Sequence, residues 1–232
     1  MTNTKITRRE ILNLALASPL LAAMPDIGQA QAGKTKRLDR QSFVDAPSAI
    51  TPLGVDEVKQ VELIRQWRGP VCRSRLINRG KAPARIKEVT LFDLKLDLPP
   101  TTGLYGEGFQ MLSQTGGATG QPVDLGNYTD AKHYKMPQPE GERVFYGLMT
   151  MAPHEGDNLM LAFTSCRRFA GQFYLRPDLL QVVVDTEGLE LKPGESWELE
   201  EFTFRSGSDR AKLLDELARA LNANHPQLRF KS

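Results

Sequence analysis

From Val61 to Arg205, apart from residues 99–142, the sequence is a run of short apolar-alternating segments, divided by turns too short to hold a helix. Val61–Trp67 and Val71–Asn78 flank Gly69-Pro70, and Asn78-Arg79-Gly80-Lys81-Ala82-Pro83 turns the chain into Ile86–Leu98. Arg143–Met151, Asn158–Ser165, Arg167–Leu175, Leu179–Asp185 and Gly188–Leu191 follow, and Lys192-Pro193-Gly194-Glu195 leads into Ser196–Arg205. Residues alternating at a period of two bury one face of a sheet, and no βαβ rhythm interrupts them. The pattern predicts an all-β fold, a large antiparallel β-sandwich. Within Ile86–Leu98, Val89 and Leu91 share one phase whereas Phe92, Leu94, Leu96 and Leu98 share the other, which predicts a β-bulge. Trp197 and Leu199 against Phe202 and Phe204 predict a second.

Three segments depart from this rhythm. A C-terminal α-helix is predicted within 207–232, with Ser208 as N-cap, Asp209 in the first turn, and Leu214, Leu217, Ala218 and Leu221 as its apolar stripe. Residues 99–142 read as one long loop, far beyond the ~15 residues of ordinary connections, so it is expected to carry function. Residues 1–32 read as an export signal: Arg8-Arg9, an apolar run from Ile11 to Met24, and the small-residue site Ala30-Gln31-Ala32. Thr7-Arg8-Arg9-Glu10-Ile11-Leu12-Asn13 resembles the twin-arginine pattern, with Ile11 and Asn13 departing from it, so the general secretory route stays open. Pro19 and the shortness of the run argue against a stable membrane span, which takes about 20 apolar residues. A periplasmic or secreted product, cut near Ala32, is expected.

The chain of 232 residues has a formal net charge of +2. Residues 1–32 hold three basic and two acidic side chains, so the remainder carries +1. Such a balance argues against nucleic acid as a partner, since duplex binders present a dense basic face. Two cysteines and three scattered histidines, His133, His154 and His225, lack metal-ligand spacing, so neither a metal nor a cofactor is expected. An exported location permits a disulfide between Cys72 and Cys166, while buried free thiols are equally compatible with their strand-like surroundings.

Within 99–142, Phe109, Tyr128 and Tyr134 lie among Gln110, Asn127, Asp130 and His133. Flat apolar rings beside planar amides and carboxylates suit a sugar, whose C–H face stacks while its hydroxyls bond. The same aromatics would serve equally to pack the loop on the sandwich. Gly106-Glu107-Gly108 lacks the third glycine of a dinucleotide loop, and Thr115–Gly120 is followed by no Lys-Ser/Thr. Glu107, Asp124 and Asp130 could supply an acid and a base for glycoside hydrolysis, but solvated carboxylates are the plainer reading, and no catalytic residue is assigned.

Gly108-Phe109-Gln110-Met111-Leu112-Ser113 resembles the G-(aromatic)-Q-S/T-W-S segment in the N-terminal domain of α-galactosidases of the melibiase and raffinose-synthase group, with Leu112 standing at the tryptophan. Gly188-Leu189-Glu190-Leu191-Lys192-Pro193-Gly194-Glu195 and Glu200-Glu201-Phe202 are similar to late strands of that domain, and the C-terminal helix to the segment leading into its barrel. The resemblance covers roughly residues 38–232 and implies a β-supersandwich over 33–206. It implies a carbohydrate partner of galactoside type and a catalytic (β/α)8 barrel that carries both catalytic aspartates. The chain is expected to stop about where that barrel begins and to be inactive alone, an accessory domain or truncated form of an exported hydrolase. A homo-oligomer is compatible with this role. Two other readings stand beside it: a free-standing periplasmic carbohydrate-binding or structural sandwich, and a complete small glycosidase. N-terminal sequencing of the product exported by a bacterial host is expected to begin at Gly33; an intact Met1 would refute the signal.

Overall fold

The computed structural model describes residues 38–54, 58–109, 114–121, 133–136 and 139–226, so residues 1–32, read above as an export signal, lie outside it. The chain order is α1 (Arg40–Val44), β1 (Ala49–Pro52), β2 (Val61–Arg68), β3 (Val71–Asn78), β4 (Ala84–Lys95), β5 (Gly103–Glu107), β6 (Gln114–Ala118) and β7 (Arg143–Tyr146). Then come β8 (Leu148–Ala152), β9 (Asn158–Phe163), β10 (Ala170–Arg176), β11 (Leu179–Leu191), β12 (Ser196–Glu198), β13 (Phe202–Gly207) and α2 (Arg210–Asn224). They build two antiparallel sheets, one of five strands in the order β1-β4-β11-β10-β7 and one of eight, β12-β3-β13-β9-β8-β5-β6 with β2 paired to β3. The fold is the all-β sandwich with a C-terminal helix that the alternation predicts. Among the described residues no helix is long and apolar enough to cross a membrane.

Both predicted phase shifts are present. Val182 pairs with Phe92 and Val183 with Thr90, so Leu91 is the extra residue of a bulge, and Leu91 and Phe92 both enter the core. The second offset is wider. Glu198 pairs with Arg75 and Phe202 with Cys72, so Leu199, Glu200 and Glu201 face only Arg73 and Ser74, and the expected single strand divides into β12 and β13. Conversely, Leu179–Asp185 and Gly188–Leu191 form one strand, β11, which accommodates the turn-like residues as a register shift between Asp185 and Leu189. Glu187 (φ 58°) and Gly188 (φ 76°) take left-handed backbone there.

Two readings need correction. Arg143–Met151 is not one strand. At Gly147 (φ 69°) the chain leaves the smaller sheet for the larger, its N–H donating to Gly171 O at 3.0 Å and its carbonyl accepting from Phe163 N at 2.8 Å. Nor is 99–142 wholly loop, because β5 and β6 form a hairpin at the edge of the larger sheet. Glycines hide this strand from a propensity reading. At Gly106 the reason is contact, since a Cβ there would lie 2.1 Å from the Phe145 ring.

The core lies between the sheets. Asp39 caps α1 by accepting from Ser42 N at 2.9 Å, and this single turn delivers Phe43, fully buried, among Trp67, Phe92, Phe202 and Phe204 at centroid distances of 4.6–6.2 Å. The C-terminal helix is capped by Asp209, which accepts from Lys212 N at 3.1 Å, rather than by Ser208. Its buried residues are Leu213 and Leu217, with Leu214 half-buried, Leu221 exposed and Ala218 exposed, so the stripe sits one position from the expected one. These leucines pack on Leu148, Met160 and Ala162, on the face of the larger sheet turned away from the core. Phe43→Ala is expected to cost about 3–5 kcal/mol, the range for emptying a buried ring site, read from urea midpoints; a loss under about 1 kcal/mol would remove Phe43 as the keystone of the inter-sheet core.

Candidate functional site

Three of the seven predicted sugar-site residues are described, and they meet. Phe109 follows β5, His133 and Tyr134 have helical backbone, and Tyr146 ends β7. The Phe109 ring stands 5.8 Å from Tyr134 and 5.6 Å from Tyr146, the latter edge to face, and His133 stands 4.6 Å from Tyr134. Offset and edge-to-face rings at such distances hold one another by their quadrupoles. Phe109 nevertheless keeps 48% of its surface exposed. Gln110, Asn127, Tyr128, Asp130 and Asp124 lie outside the described residues. Tyr146 was invisible to a reading confined to the loop, because its pairing with Gln172 at the sheet edge is what brings it beside Phe109.

The cluster sits at the corner where the chain changes sheets. The Glu107 carboxylate approaches Gly147, with Oε2 3.7 Å from where a Cβ of that residue would stand. Burial pushes the Glu107 carboxyl above the ordinary glutamate value. A corner of aromatic rings beside one solvent-exposed carboxylate residue can stack on the C–H face of a pyranose and accept from its hydroxyls. It holds no pair of carboxylates facing each other across a cleft among the described residues, which hydrolysis would need. Nor do these residues contain a cluster of histidine, cysteine and acidic groups able to hold a metal.

The other acidic and nucleophilic groups of the sequence motifs are structural. Glu200, 2% exposed, accepts through Oε1 from the backbone N–H of Arg167, Arg168 and Phe169 at 2.9–3.1 Å and through Oε2 from the Ser165 hydroxyl. Burial pushes its carboxyl upward, but these hydrogen bonds outweigh burial and hold it below the ordinary glutamate value. Glu201 likewise joins Thr164, Arg73 and Asn224, tying β13 to β3 and to the end of the C-terminal helix. In the Pro-Gly-Glu turn, Gly194 (φ 74°) allows Glu195 to accept from Lys192 N at 2.9 Å and from Trp197 Nε1 at 3.0 Å. His225 ends α2 and accepts from Cys166 N at 3.2 Å. Cys72 and Cys166 are free: the first is buried on β3 with its sulfur 3.8 Å from Ser74 Oγ, the second is exposed after β9, and no bond joins them.

No protein-family profile matches the chain, and no curated protein matches it by sequence. Among solved structures it is similar to an α-galactosidase from Thermus thermophilus, at 15% identity and a TM-score of 0.38, over 69% of this chain and 31% of that one. It is similar to the galactosidase domain of an α-galactosidase–sucrose kinase, at 14% identity and a TM-score of 0.45, over 70% and 24%. It is also similar to an α-galactosidase from Lactobacillus brevis, at 9% identity and a TM-score of 0.43, over 71% and 23%. The chain thus spans less than a third of the length of each of these proteins.

Glu200→Gln should lower stability by about 1–3 kcal/mol at pH 7, the cost of leaving buried partners unsatisfied. A carboxyl held low in the folded state stabilises above its unfolded value of about 4.3. That contribution is lost as pH falls through the lower folded value. The wild-type advantage in urea midpoint is therefore full at pH 7 and shrinks below pH 4; an advantage unchanged at pH 3 would refute the role of the charge.

Proposed function

We propose that the chain is an accessory β-sandwich of an exported α-galactosidase-like glycoside hydrolase, which presents the Phe109 corner to a galactoside and works beside a catalytic barrel. The observation that carries this is the half-exposed Phe109 ring, held between Tyr134 and Tyr146 with the Glu107 carboxyl at the same corner. An exposed ring fixed by two neighbours has already lost its rotamer entropy, so stacking a sugar on it costs less. The resemblance of Gly108–Ser113 to the aromatic segment of the melibiase-type domain supports the choice of galactosides. The helix α2, laid on the outer side of the larger sheet, suits a connector to a further domain.

The purified chain should fail to hydrolyse an aryl α-galactoside while binding galactose or raffinose saturably, and Phe109→Ala should weaken that binding at least about tenfold. A tenfold loss corresponds to about 1.4 kcal/mol. Hydrolysis by the chain alone that Asp130→Asn abolishes would replace this reading with a complete glycosidase. Absence of any galactoside binding in calorimetric titration would overturn the sugar-contacting role.

A further inference from the structure

The larger sheet has β5 and β6 at one end and β3 at the other, where β2 and β12 pair with it. Trp67, Leu76 and Trp197 face the core, so alternation turns Gln66 and Arg68 of β2, Arg73 and Arg75 of β3, and Glu198 of β12 to the outer side. Register gathers them into one patch. Gln66 stands opposite Arg73, and Arg75 stands between Ile64 on one neighbouring strand and Glu198 on the other. Here β12 ends at Glu198, and β13 begins only at Phe202. At this break the outer surface is hollow, with a cleft of about 200 Å³ lined by these side chains together with Ile64 and Ser74.

The two central arginines of β2 and β3 differ in how far the fold commits them. Arg65, on the inner side of β2, donates to Leu91 O at 2.6 Å and to Ala46 O at 2.9 Å, and its guanidinium lies 4.9 Å from the centre of the Phe92 ring. Arg68, on the outer side, makes no hydrogen bond or ion pair among the described residues. Arg75 has only the Glu198 carboxylate, at 3.9 Å, beyond hydrogen-bond distance. Arg73 gives its Nε to Glu201 at 2.7 Å and keeps its terminal nitrogens. Three guanidiniums against Glu198 and Glu201 leave the cleft one positive charge in excess. A charge on an edge strand guards it against pairing with another chain, and Arg68 alone would do that. Three guanidiniums around one hollow do more: their planar N–H forks match a carboxylate or phosphate, and a concave surface focuses their field on it.

We propose that this cleft is an oxyanion site, in which Arg68 and Arg75 hold the phosphate or carboxylate group of a compact ligand and the Gln66 amide donates a further hydrogen bond. Its volume, below the roughly 300–1,000 Å³ of ordinary ligand pockets, suits one anionic group with little attached. Glu198 stands at the rim and opposes the ligand, so its charge sets the affinity. The site goes beyond the galactoside reading and does not depend on it, because Phe109 follows β5 at the other end of the sheet.

Calorimetric titration of the full chain with inorganic phosphate and, separately, with galacturonate tests this, with galactose as the neutral control and thermal melts to follow folding. Saturable binding of at least one anion, weakening as salt rises, is expected, and the anion that binds identifies what carries the charged group. Arg68→Gln should weaken that binding at least about tenfold, the loss of a charge-assisted fork, and Arg75→Gln several-fold. Neither should lower the melting temperature, since neither side chain is hydrogen-bonded within the fold. Glu198→Gln should tighten binding several-fold, which the loss of a merely structural ion pair would not do. Arg219→Gln, which removes a positive charge from the exposed side of α2, should leave it unchanged. No saturable binding of either anion, or equal weakening by Arg68→Gln and Arg219→Gln, would overturn the site, and neither result touches galactose binding at the Phe109 corner.

Discussion

The pairing of β4 with β11 is the constraint on which the rest of the molecule depends. The two long strands run side by side from Leu179↔Lys95 to Leu191↔Ala84, and every other strand of the smaller sheet attaches to one of them or to β10. The extra residue at Leu91 decides which side chains go where. Before it, Val89 enters the core; after it, Phe92 and Leu94 do, and the outer face receives Glu88, Thr90 and Asp93. A one-residue slip in a period-two ladder would exchange the two faces, placing the carboxylates in the aromatic core and Phe92 in water. The bulge thus fixes, in a single stroke, the ring cluster around Phe43 and the polar row opposite.

Contact between the sheets is completed by glycines that stand where rings need room. A Cβ on Gly171 would lie 2.3 Å from the Phe163 ring, as one on Gly106 would crowd Phe145. Gly147 lets β7 and β8 belong to different sheets while both stay hydrogen-bonded at the corner. The result is that Tyr146, the last residue before that turn, faces away from the core next to Gln172 and within ring contact of Phe109. The corner is therefore a product of sheet closure, and the loop contributes only part of it.

This explains what could be read from the sequence. The all-β class, the bulge at Leu91 and the offset near Leu199 were legible because burial imposes a period-two pattern whose phase errors are themselves visible. The hairpin β5–β6 was not, because Gly103, Gly106, Gly116 and Gly117 carry no alternation. Helix α1 is a single turn whose only sequence mark is Asp39 three residues before Ser42. The loop aromatics Phe109 and Tyr134 and their neighbour His133 were identifiable from composition. Tyr146 was not, since it sits in an ordinary strand and only its pairing with Gln172 brings it beside Phe109.

The distribution of carboxylates separates structure from function more sharply than their number. Glu195, Glu200 and Glu201 are occupied by backbone N–H groups and by Trp197, Ser165, Thr164, Arg73 and Asn224. The Pro-Gly-Glu turn is thus accounted for by the hydrogen bonds that close it. Glu107, whose carboxyl partial burial pushes upward, lies elsewhere, at the Gly147 corner. That corner, where Tyr146 pairs with Gln172 and its ring meets Phe109, stands at the β7 edge of the smaller sheet, away from the carboxylates that close the turns.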